Sequence, residues 1–64
     1  MQLVNNMVYQ IYMINFDYYL QGLFVSIEDA IAKAKSTGFQ YRIDEFNVES
    51  TGKVIFAGIS KKQW

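Results

Sequence analysis

The chain lacks cysteine, proline and histidine altogether, and its 64 residues carry no surplus of either charge, with six acidic and six basic side chains. Each absence removes a class of protein. Without cysteine there is no disulfide, and with neither cysteine nor histidine a structural zinc site is excluded. The usual general bases, thiol nucleophiles and catalytic triads are missing, leaving carboxylates, lysines and hydroxyls, so the chain does not read as an enzyme and implies no cofactor. A net charge of zero gives no basic field for phosphate binding and no acidic excess for mimicking DNA. No apolar run approaches the ~20 residues of a membrane span, and Met1-Gln2-Leu3-Val4-Asn5-Asn6 lacks the basic start and apolar run of a signal peptide. The expected location is the cytosol, which the lack of cysteine fits.

The carboxylates and glycines that remain form no chemical motif. Asp44 and Glu45 are neighbours, so a regular strand points them to opposite faces, and 64 residues scarcely provide the cleft of a paired-carboxylate hydrolase. Asp17, Asp44, Glu45 and Glu49 do not have calcium-loop spacing. Gly22, Gly38, Gly52 and Gly58 stand too far apart to cradle a phosphate.

What is present is a domain plan built around one helix, expected over residues 27–37. Ser26 stands at the N-cap with Asp29 three residues on, close to a capping box. Ile27, Ala30, Ile31 and Ala34 fall at i, i+3, i+4 and i+7, a thin apolar stripe, and Gly38 supplies the left-handed residue that stops the helix. Strands are expected at 7–15, 20–24, 39–48 and 54–60. The first is apolar on both alternating sets, Met7, Tyr9, Ile11 and Met13 against Val8, Tyr12 and Ile14, which belongs in the middle of a sheet. Phe16-Asp17-Tyr18-Tyr19 reads as the turn of a first hairpin, and Met1 to Asn6 as a lead-in. Phe39, Tyr41 and Ile43 are expected inward and Gln40, Arg42 and Asp44 outward. Phe46 and Val48 then carry the apolar set on the other parity, so either a bulge near Asp44-Glu45 shifts the register or the second half feeds a different surface. Ser60 to Trp64 reads as a basic tail. The resulting fold is α+β in two layers: one domain over 1–64, a four-stranded antiparallel sheet in the order 2-1-3-4 with one helix packed on one face.

A single helix leaves the other sheet face uncovered, and that face is the main functional clue. Tyr12, the turn residues Phe16, Asp17, Tyr18 and Tyr19, Ile55 on the outer strand and Trp64 at the end form the expected partner-binding set, since tyrosine and tryptophan offer large rigid contact areas. A nucleic-acid platform of Tyr9 or Tyr12 with Tyr41 and Arg42 lacks the basic field such binding requires, apart from Lys53, Lys61 and Lys62.

The stretch Gly22-Leu23-Phe24-Val25-Ser26-Ile27-Glu28-Asp29-Ala30, followed by Tyr41-Arg42-Ile43-Asp44-Glu45-Phe46-Asn47-Val48, resembles small uncharacterised bacteriophage-encoded domains in which a "G-x-F-x-S-x-E-x-A" helix entry precedes a "Y-R-I-x-E" strand. The resemblance implies the same β-β-α-β-β fold and a context in which such proteins bind and inhibit host proteins, including CRISPR-Cas defence components, in the host cytosol. The expected activity is therefore non-catalytic steric occlusion of a host protein, with a homodimer as the other expected partner. Alternatives are a weak single-stranded nucleic-acid binder, a small-ligand sponge at a dimer interface and a structural phage component.

Overall fold

The computed structural model describes residues 6–63, so the lead-in before Asn6 and the terminal Trp64 lie outside the described residues. Four strands and one helix follow in the order β1 (Asn6–Met13), β2 (Tyr18–Tyr19), α1 (Ile27–Ser36), β3 (Tyr41–Val48) and β4 (Val54–Gln63). They form one antiparallel sheet, β2-β1-β3-β4, with α1 on one face. The fold is thus the two-layer α+β arrangement expected from the pattern of the chain.

The centre of the sheet is the β1–β3 ladder. It runs without interruption from Asn6 opposite Val48 to Met13 opposite Tyr41. Directly opposed residues share a face, so this register alone sorts the side chains. Ile11, Met13, Tyr41 and Ile43 face the helix and, with Ala30 and Ala34, make up the buried core; Tyr9, Leu20, Phe24, Ile27 and Ile31 pack around it. The two alanines let the helix lie close to the sheet, and the large core side chains come from the strands.

The helix is fastened at both ends as its sequence requires. The Ser26 hydroxyl accepts the Asp29 backbone N–H at 3.4 Å, and Glu28 and Asp29 occupy the first turn while Lys33 and Lys35 occupy the last, matching the helix dipole. The last turn closes with the Thr37 hydroxyl donating to the Ala34 carbonyl at 2.7 Å and with Gly38 at φ +78°.

Four local expectations are corrected. Tyr18 and Tyr19 are not in the turn: residues 14–17 turn, Asp17 adopts a left-handed φ of 58° with its N–H donating to the Met13 carbonyl, and the two tyrosines pair with Met13 and Tyr12. The strand expected at 20–24 therefore shrinks to this pair. Leu20 still donates to Ile11, the chain leaves the sheet through Gly22 at φ +102°, and Phe24 returns to exchange both backbone hydrogen bonds with Tyr9. Phe39 does not point inward: its N–H is held by the Thr37 hydroxyl at the helix exit, and it is 53% exposed. Finally, β4 takes in most of the supposed basic tail, because Tyr41, Arg42 and Ile43 pair with Gln63, Lys62 and Lys61.

The parity change in β3 resolves the same way. β3 carries no extra residue, since its ladder with β1 is continuous; Phe46 and Val48 feed the open face. The bulges are in the outer strand instead, where Ser60 and Ala57 are the extra residues between successive pairs with β3. Substituting Ser26 by alanine should lower the unfolding free energy by about 1 kcal/mol through loss of the cap, read from the urea midpoint at unchanged slope.

Candidate functional site

The first hairpin builds a polar and aromatic cluster on the open face. In a strand, residues i and i+2 share a face, so Arg42 and Asp44 project together, with Tyr12 opposite Arg42 and Tyr19 opposite Tyr12. The Arg42 guanidinium grips Asp44 in a forked pair, Nε to Oδ1 at 2.7 Å and Nη2 to Oδ2 at 2.9 Å. Its carbon centre lies 4.2 Å from the centroid of the Tyr12 ring, a cation–π contact. The Tyr19 hydroxyl donates to Asp44 at 2.6 Å, and its ring meets that of Tyr12 edge-on at 5.0 Å. The Tyr12 hydroxyl donates to the Asp17 carboxylate. Asp44, expected outward and solvated, does face outward, yet these neighbours cover it completely, leaving it 0% exposed.

The electrostatics follow from this contact set. The hydrogen bond to Asp44 raises the Tyr19 phenol above its ordinary value, with burial and the nearby carboxylate charge adding to it and Arg42 opposing. The bond to the same carboxylate holds the Arg42 guanidinium still more firmly protonated. At the helix start, hydrogen bonds from its own backbone N–H and from the Ser26 hydroxyl lower Glu28 below the usual carboxylate range.

On the helix side the same turn presents a different group. Tyr18, opposite Met13, shares the helix face, and Phe16 meets Phe39 edge-on at 4.9 Å and Tyr18 at 6.1 Å. Phe16, Tyr18 and Phe39 are 47%, 51% and 53% exposed. The expected partner-binding set is thus divided. Tyr12, Asp17 and Tyr19 are tied into the polar cluster, Phe16 and Tyr18 stand free of it, and Ile55 sits across from Asn47 at the far end of the sheet. Trp64 lies outside the described residues. Phe39 joins this group although the alternation of 39–44 marks it as core. The Arg42–Asp44 pair was signalled by its i, i+2 spacing.

A shallow groove of about 570 Å³ runs along β4, lined by Phe56, Gly58, Ile59, Ser60, Lys61 and Lys62. Its one hydroxyl, on Ser60, donates to Glu45. Among the described residues there is no group of three carboxylates that could hold a metal ion, and no helix is long and apolar enough to cross a membrane. No protein-family model matches the chain, and neither a curated protein nor a solved structure matches it.

Two outcomes are expected from the cluster. Arg42→Met should destabilise the fold by roughly 3 kcal/mol, because it leaves the buried Asp44 charge without its cation. Asp44→Asn should cost less, since Arg42, 27% exposed at its side chain, can turn to water; paired urea denaturation curves read this order. Because the Tyr19 phenol is raised in the folded state, its contribution is present below the unfolded phenol value near 10 and is lost as pH rises through the higher folded one. Tyr19→Phe should flatten the alkaline fall of stability, measured by thermal melts across that range.

Proposed function

We propose that this domain acts by binding another protein, without catalysis, and that the aromatic turn is its docking element. The observation that carries this reading is the exposed trio Phe16, Tyr18 and Phe39, each about half accessible, with the Phe16 ring in contact with the other two. Aromatic side chains dominate the energy of protein interfaces, and they bind more tightly when already held in place. Here the turn is held from the other side of the sheet: Tyr12 binds Asp17, the left-handed residue of the turn, and Tyr19 next to Tyr18 is anchored on Asp44. An anchored turn tipped with aromatic rings loses little conformational freedom on docking.

In the form implied by the bacteriophage resemblance, the domain is a steric inhibitor of a host protein, such as a CRISPR-Cas component, in the host cytosol. The zero net charge fits a partner recognised through apolar and aromatic contact more than through phosphate. Two features weigh against a nucleic-acid platform. The Arg42 charge is neutralised by Asp44, and the guanidinium occupies a face of the Tyr12 ring on which a base would stack.

The test is affinity capture from bacterial lysate with the immobilised wild-type domain and with a Phe16→Ala/Tyr18→Ala variant whose circular dichroism is unchanged. Both side chains are exposed, so the fold should survive. Proteins held by the wild type should be depleted at least about tenfold on the variant, as loss of central aromatic anchors entails. An identical set retained by both would place the docking surface elsewhere.

A further inference from the structure

We infer that the open face of the sheet is closed by a second copy of this chain, apolar rows against apolar rows, in a two-fold symmetric dimer. α1 packs on the face of Ile11, Met13, Tyr41 and Ile43, and no other described element packs on the opposite face of the sheet. The helix contacts β1 and β3 and makes no comparable contact with β4, and the buried core stops at Ile11 and Ile43. Beyond them the pairings set two apolar rows side by side on the open face, Val8–Phe46–Phe56 and Val48–Val54. Phe46 and Phe56 meet edge-on at 5.6 Å, and Val54, Phe56 and Ile59 are 51%, 54% and 44% exposed. A contiguous apolar patch of this kind on a small domain marks an interface.

Size, charge and stability select a second copy as the occupant. The whole molecule extends 43 by 20 Å, so one entire face of it, the polar cluster at one end included, is of the order of the ~800 Å² per partner that a stable interface covers. An isologous contact brings each apolar row against the same kind of row. The Arg42 and Asp44 charges on this face are paired within one subunit, and Lys62, the other charged strand residue on it, sits across from Arg42 at the polar end, so the apolar rows of two copies meet without like charges set against each other. Among the described residues the buried core amounts to Ile11, Met13, Ala30, Ala34, Tyr41 and Ile43, and the chain has no cysteine; association is a way for so small a domain to gain buried apolar surface. Pairing through the outer edge of β4 is disfavoured by the bulges at Ala57 and Ser60 and by Lys61 and Lys62, devices that protect edge strands. The inference stands apart from the docking role of Phe16, Tyr18 and Phe39, which lie at the other end of the molecule. The dimer would carry two such turns.

Light scattering over a concentration series tests it, and the expected mass is twice the 7.5 kDa of one chain. Phe56→Glu places a carboxylate inside the apolar row and should weaken the dimer by about 100-fold or more, giving monomer at concentrations where the wild type is paired. Val25→Glu, at a position 81% exposed in the loop before α1, should remain dimeric. The wild-type Tm should also rise with protein concentration, as mass action requires of a folded dimer, and this decides the matter even if Phe56→Glu fails to fold. A wild type that stays at 7.5 kDa with a concentration-independent Tm overturns the inference. So does a dimer that Phe56→Glu leaves as tight as before.

Discussion

The structure depends on the unbroken pairing of β1 with β3. Because the ladder keeps one register from Asn6–Val48 to Met13–Tyr41, every side chain on the two central strands is assigned to one face or the other, and a slip of one residue would turn the core outward. The helix then has one apolar surface available to it. Ala30 and Ala34 bring it close to Ile11, Met13, Tyr41 and Ile43, which leaves the opposite face without a layer, and the shortness of that helix limits its cover along its own face. A ten-residue helix cannot cover β1, β3 and β4, which are each about twice its length, so the sheet is two-layered near the first turn and single-layered toward the β3–β4 hairpin.

The two halves of the molecule use their aromatic residues differently. Near the turn, rings are combined with charge: Arg42 stacks on Tyr12 and grips Asp44, and Tyr19 completes the coordination of that carboxylate. A carboxylate buried on a sheet face is costly unless cation and hydrogen-bond donors surround it, and here they come from β3 itself and from β2. The cluster takes the place of a second helix at this spot, covering the outer face with polar side chains that satisfy one another. Toward the hairpin, Phe46 and Phe56 meet edge-on with valines beside them.

The turn between β1 and β2 connects these themes to function. Its backbone takes a left-handed step at Asp17, a conformation that Asp adopts more readily than most residues. The Asp17 side chain is engaged by Tyr12. Alternation along β2 then sends Tyr19 to the buried carboxylate and leaves Tyr18 with Phe16 and Phe39. One short strand thus both fastens the turn and displays it.

Much of this was legible in the chain. The helix cap at Ser26, the stop at Gly38, the doubly apolar first strand and the strand order follow from rules that act over a few residues: capping, period 3.6 against period 2, and antiparallel pairing across short connections. Even the parity change between Ile43 and Phe46 was visible, because apolar alternation is a local property. What the local rules left open, long-range pairing decided. Only the register with β1 shows that the parity change moves Phe46 and Val48 to the open face, while the bulges fall in β4. Only the meeting of β1, β2 and β3 buries Asp44 beneath Arg42 and Tyr19, residues 2 and 25 positions away along the chain. The alternation around Phe39 marks it as core, yet the helix exit holds its backbone and leaves the ring to Phe16. Short-range pattern determined which elements form and which side of each is apolar; which apolar side stays uncovered was decided by the face of the sheet on which the single helix packs.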